Sequence, residues 1–435
     1  MQNENAEGLT RAIGVRRLAA SAVNLTIGAG IFALPAVVAG YLGAAAVMAY
    51  ALCGLLLSLV LLCFVEVGSK LTSTGGVYAY VGLAFGPFAG FLTNMLFIGF
   101  ALSADAAVAN VLAENVSVIF PWLKAPFLRV TFLCFVFGII AVLNVTGVKQ
   151  GVRLVEMVTL AKVIPLLILV AVGSWYVSPE NLWWTESPSI QSLGEGALVL
   201  FFAFGGGAEA TLNATGEIQN PSRTIPRGIL LGSLTVFIIY LSVQLVAQGV
   251  LGDDLVTHKE APLAAVAEKF VGSYGSILLV VGAAVSCFGM ISGDILASSR
   301  LPYAAARDGL LPKFLARVHP RFATPHWAVI IYASTGLILA ISGGFRQLAI
   351  LSSAAILLVY VGVILATIKL RKQNQENTFR IPGGVTVPLL ALMATGWFLS
   401  HLSKTEVMGT IVYIVFFSGV YWFFQSVARR EKRNG

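Results

Sequence analysis

Charge is what this chain has least of: Asp, Glu, Lys and Arg make up 11% of its 435 residues, too little polar surface to wrap a soluble globule of this size. Histidine and cysteine are also few, with four of each. His258, His319, His326 and His401 fall in or near loops, scattered and unpaired. Cys53, Cys63, Cys134 and Cys287 fall inside apolar stretches with no CxxC pair, and read as small buried hydrophobes. Without a cluster of ligands, or a nucleophile beside a base, at membrane depth, an embedded enzyme is not expected, and no cofactor is implied. No continuous polar pore or repeated filter element points to a channel. Long polar segments are also missing, so nothing in the chain would form a separate soluble domain.

What remains is apolar: 57% of residues are hydrophobic and the mean hydropathy is +0.87. Runs long enough to cross a bilayer, roughly 20 residues each, recur near 17–40, 43–64, 85–112, 127–146, 153–176, 193–216, 227–250, 274–298, 326–342, 348–370, 385–402 and 406–427. The spacing predicts an all-α membrane protein of about 12 spans. The polar, partly acidic start MQNENAEGLTRAIGVRR and the length of the first apolar run do not fit a cleavable signal. With the N-terminus in the cytoplasm, 21 of the 28 Lys and Arg residues fall on cytoplasmic segments, among them Arg300, Arg307, Lys313, Arg317 and Arg321 and the tail Arg429, Arg430, Lys432 and Arg433. That asymmetry predicts a multi-pass protein of the cytoplasmic membrane with both termini inside, and accounts for the +8 net charge without a nucleic-acid partner. The longer external stretches, VSPENLWWTESPSIQ and GDDLVTHKEAPLAAVAEK, read as interfacial anchors ahead of substrate contacts.

Two of these spans are interrupted. TIGAGIFALP places Gly28 and Gly30 in the first, and FFAFGGGAEATLNATGE places Gly205, Gly206 and Gly207 in the sixth. Isolated glycines also serve close helix packing, but three in a row break a membrane helix more strongly. The two breaks lie about five spans apart, where corresponding elements of a five-helix inverted repeat would fall. Interrupted helices at matching places in two halves point to a transporter site, since irregular backbone at membrane depth must line a cavity. Resumed half-helices offer free N–H groups for a carboxylate, and freed carbonyls suit an ammonium group. An amino-acid zwitterion carries both.

These residues resemble the amino acid–polyamine–organocation permeases over nearly all the spans. IGAGIFALP at 27–35 is similar to that family's first-helix signature, and TGGVYAYVGLAFGPFAGF at 74–91 to the loop between its second and third spans. GEIQNPSRTIPRGI at 216–229 and SRLPYAAARDGLLP at 299–312 resemble the loops after its sixth and eighth. The resemblance implies a LeuT-like fold of two inverted five-helix repeats plus two peripheral helices. On this chain that gives a tail at 1–16 and a bundle over 17–428, with repeats at about 17–176 and 193–370, peripheral helices at about 385–428, and a basic tail at 429–435. It also implies a secondary transporter that moves an amino acid by alternating access. Proton symport and exchange of one amino acid, amine or polyamine for another stay open as coupling modes. Backbone around Gly28, Ala29, Gly30 and Ile31 would hold the carboxylate. Carbonyls near Thr26, Ile27, Phe202, Ala203 and Phe204 would take the ammonium, with Gly205–Gly207 as the second break and Phe204 or a neighbour as a gate. The chain departs from the family's FAFxGFE pattern, with Ala208 where an aromatic is usual, which argues against an aromatic gate at that position.

Ionisable side chains at membrane depth cost several kcal/mol unless paired or hydrated, and each is a functional candidate. Lys162, in EMVTLAKVIPLLI of the fifth span, is read as a proton-coupling group or fixed positive charge, with snorkelling as the structural alternative. In family members that resemble this chain, a lysine there stands in for a sodium ion beside the first-helix break. Ser286 corresponds to a hydroxyl lining that same site, or bonds to its own helix. Glu209 is expected to tie the resumed sixth helix to its neighbours. Asp105 either faces the pocket, to meet a cationic substrate group, or pairs with another helix near the external end. Asp294 is expected to pair internally or face cytoplasmic water, and Glu66 and Glu156 to lie at the interface.

Overall fold

The computed structural model describes residues 13–70, 76–146, 152–184, 187–212, 218–322, 324–371 and 379–434, and side chains within those ranges except at 69–70, 76–77, 152–161 and 428–434. The predicted N-terminal tail lies mostly outside the described residues, as do 74–75 and 216–217 of the loop signatures. The side chains of Glu156, Arg429, Arg430, Lys432 and Arg433 are likewise outside them.

The described secondary structure is helical. The first span is α1 (Val15–Thr26) and α2 (Gly30–Leu42), and the second is α3 (Ala46–Lys70). A short α4 (Gly76–Phe85) leads into α5 (Pro87–Ile119), followed by α6 (Pro126–Val145) and α7 (Val152–Gly173). The sixth span is α8 (Ile190–Phe204) and α9 (Gly207–Ala210), and the seventh is α10 (Pro221–Leu251). After α11 (Pro262–Val271) come α12 (Ser273–Ser298) and the short α13 (Arg300–Arg307). The last spans are α14 (His326–Ser342), α15 (Phe345–Leu370), α16 (Thr386–Leu399) and α17 (Lys404–Asn434). The predicted apolar runs therefore all become helices, in order. Eight described helical stretches are long and apolar enough to cross a bilayer, and the shorter 162–176, 326–342 and 386–399 supply further apolar helix.

The helix on which the bundle is built is α5, against which α12, α14 and α15 pack, while α1 lies on α10 and α2 on α8. Hydropathy ends this third span near 112, whereas α5 runs on to Ile119, through the polar Asn110, Asn115 and Ser117. Their side chains instead bond back to Ala106, Val111 and Glu114 carbonyls, so the polar groups are satisfied and the helix continues. At the perimeter, α17 presents Val412, Phe416 and Phe423 outward, as a helix bathed in lipid does.

One expectation is corrected here. Glu66 is not interfacial: its carboxylate is fully buried and takes two bonds from Arg371 after α15, at 2.7 and 2.5 Å, plus the Ile381 N–H at 3.0 Å. A buried carboxylate needs such a cation with matching hydrogen bonds. Arg371 makes its burial affordable at the end of α3.

Candidate functional site

Both glycine stretches interrupt their helices. α1 stops at Thr26, where the Ile27 N–H still bonds to the Val23 carbonyl at 2.9 Å, and α2 resumes at Gly30. Its first amides have no partner within the helix. The sixth span breaks after Phe204. Gly206 has φ +89°, a left-handed conformation that glycine adopts without strain. Its N–H bonds to the Glu209 carboxylate at 2.8 Å and to the Tyr360 hydroxyl at 3.2 Å. Glu209 is buried and closes the start of α9, with its other oxygen unbonded among the described residues.

The two breaks press on each other. A Cβ on Gly207 would stand 2.5 Å from Thr26 Cα and 2.7 Å from its nitrogen, so backbone meets backbone. A Cβ on Gly30 would stand 3.0 Å from Ala203 Cβ. Between them, Tyr240 of α10 donates its hydroxyl to the Thr26 carbonyl at 2.8 Å and lies 3.3 Å from the Ala203 carbonyl. Thr26 also returns its own hydroxyl to the Ala22 carbonyl. One phenol thus ties the ends of α1 and α8. Tyr240→Phe would leave the buried Thr26 carbonyl short of a donor, at about 1–3 kcal/mol. We expect substrate affinity to fall about tenfold, measured by competition binding to the purified protein, with the thermal unfolding midpoint showing how much of the loss is folding.

A cavity of about 1310 Å³ opens beside the breaks. Lys162, Asn24 and Gly205–Gly207 line it, with Asn94 and Phe100 from α5 and Met290 and Asp294 from α12. Lys162 is 5% exposed, and its ammonium group donates to the Asn24 carbonyl, in the last turn of α1, at 2.5 Å. Thr26 to Ile31 are not on the cavity wall. Met290 lies over Gly28, where a Cβ would meet its sulfur at 2.3 Å, and the Phe100 ring lies over Gly206 at 2.1 Å by the same measure.

The remaining candidates are dispersed. Phe204 is buried among Tyr50 and Tyr240 with ring centroids at 6.2 and 5.2 Å, and Phe202 stands against Phe345 at 5.7 Å. Neither lines the cavity; the aromatic at the glycine break is Phe100. Ser286 is buried and its hydroxyl bonds to nothing among the described residues, its own helix included. Asp105 is fully buried and accepts the Tyr332 hydroxyl of α14 at 3.1 Å. Sequence reasoning did not single out Tyr240, Phe100, Met290 or Tyr360. Each is an apolar or aromatic residue in a span full of them, and carries no local signal of what it faces.

Two interrupted helices pressed together beside a cavity, with a cation on a carbonyl of one of them, form the arrangement of a membrane carrier. The model of the amino acid permease family matches residues 13–428, and the chain belongs to that family. Among its relatives, the serine/threonine exchanger SteT of Bacillus subtilis is 29% identical, covering 92% of this chain and 93% of its own. The methylthioribose transporter of the same organism is 28% identical over 96% and 94%. Its branched-chain amino acid permease BcaP is 23% identical, also over 96% and 94%. This chain is an amino acid transporter of the membrane-spanning permease class.

Proposed function

We propose that the protein carries an amino acid across the cytoplasmic membrane by alternating access, with both termini in the cytoplasm and with a proton as the coupling ion. The apposed breaks support this reading most directly. Amides at Gly28, Ala29, Gly30 and Ile31 open α2 with its positive dipole end and suit the substrate carboxylate. Carbonyls of Ile27, Phe202 and Phe204, together with the lone pairs of Thr26 and Ala203 that Tyr240 leaves over, suit the ammonium group. Met290 must swing aside for substrate to reach Gly28, which its unbranched thioether side chain can do. Lys162 supplies positive charge at the end of α1, where a carrier lacking it would need a bound cation. Releasing its proton takes the charge out of the bond to Asn24, which weakens that tie and frees α1 to move.

The second reading is obligatory exchange of one amino acid or amine for another, favoured by the similarity to an exchanger. Purified protein in liposomes, given labelled amino acids and polyamines with and without a pH gradient, separates the two. Accumulation driven by the gradient supports proton symport. Uptake only into preloaded vesicles supports exchange. Neither uptake nor exchange across the whole panel would defeat the proposal.

A further inference from the structure

A second polar cluster borders the cavity that Lys162 lines. Asp105 of α5 and Asp294 of α12 face each other closely enough to interact directly. Asp294 lines the cavity beside Ser298, whose hydroxyl it accepts at 2.8 Å. Asp105 lies behind it, fully buried, with one oxygen on the Tyr332 hydroxyl and the other, Oδ1, bonded to nothing among the described residues. Among the described residues, the elements packed around the pair bring no lysine or arginine to it. From α14 comes Tyr332, and from α12 itself Ser298. Lys162 of α7 is engaged at Asn24, Arg129 of α6 at Asn110 and Glu114, and Arg300 of α13 at the Leu296 carbonyl. No lysine or arginine acts on either carboxyl group among the described residues.

Two carboxylates in contact, one of them fully buried and neither with a cation, repel each other and cannot both stay ionised. An acceptor oxygen buried with no donor is also costly. One proton removes both penalties: it turns one group into a hydroxyl donor, and the pair becomes a carboxylic acid bonded to a carboxylate. We infer that Asp105 and Asp294 form a proton-binding site of the carrier, loaded from the water of the cavity through Asp294 and shut off from it when the cavity closes. This rests on the transport reading for its role but not for its chemistry. The site is separate from Lys162, which is engaged at Asn24, so the protein holds two titrating elements at one cavity.

The test is on the full chain, as Asp105→Asn, Asp294→Asn and the double variant. Infrared spectra of purified protein, in H₂O and D₂O, read the pair without any substrate. In the wild-type minus double-variant difference, a carboxylic-acid C=O band that shifts in D₂O is expected. A difference containing only carboxylate bands would overturn the inference, since both groups would then be ionised. In liposomes, each single variant is expected to lose one limb of the pH profile of amino acid exchange. An unchanged profile in both, with folding verified by thermal unfolding, would refute a role for the pair. A pH profile that holds while the preferred substrate changes would also refute it, showing that the pair binds a cationic substrate group instead. If the wild type moves no substrate but shows the band, the transport reading fails and the proton site stands.

Discussion

Gly207→Ala is expected to reduce transport at least tenfold while Gly138→Ala leaves it unchanged. The two substitutions add the same methyl group. At Gly138 nothing lies within 4 Å of it, whereas at Gly207 it would stand 2.5 Å from the Thr26 Cα and 2.7 Å from its nitrogen. Backbone cannot rotate away as a side chain can, so α9 and the end of α1 must separate and the site between them opens. Gly206→Ala should act similarly for a different reason. Its φ of +89° costs an alanine about 1–2 kcal/mol, and the Phe100 ring stands in the way. Combining Gly206→Ala with Phe100→Ala should therefore recover part of the activity, while Gly207→Ala has no such partner. Initial rates of labelled amino acid uptake, normalised to folded protein, decide this. Wild-type rates in Gly207→Ala would mean that the contact between the breaks is not needed for transport.

Lys162→Ala is expected to remove transport or its pH dependence while the protein remains folded. The wild-type ammonium group spends its charge on one carbonyl in the last turn of α1. Without it that carbonyl faces the cavity with no cation, and α1 loses the contact whose strength a proton sets. Substrate uptake at several pH values in liposomes, beside thermal unfolding in detergent, separates loss of coupling from loss of fold. Unchanged pH dependence would take Lys162 out of the coupling mechanism. It would leave the Asp105 and Asp294 pair as the proton site to be tested.

Much of the fold is legible in the chain because the bilayer imposes a simple rule: about 20 apolar residues per span, with every backbone polar group satisfied within the segment. The interruptions at 27–29 and 205–206 are legible for the same reason, since glycine is a weak helix former wherever it stands and three in succession are weaker still. Glu66 is the counter-example. Its position near the end of a span suggested an interface, but the partner that makes its burial tolerable lies 305 residues away. Asp105 is similar. The sequence leaves open whether it pairs with another helix, and both of its partners, Tyr332 and Asp294, come from the second half of the chain.

By itself, then, the sequence determined where the chain crosses the membrane, which two spans break, and, Glu66 apart, which few ionisable groups lie within the spans. Composition and local conformational preference fix those. Only the tertiary structure decided that the Tyr240 hydroxyl ties the two broken ends, that Met290 and Phe100 lie over the glycines, and that two carboxyl groups meet beside the cavity. Each of these depends on which residues of different helices come within a few ångströms, and a side chain's spacing along one helix carries no record of its partner on another.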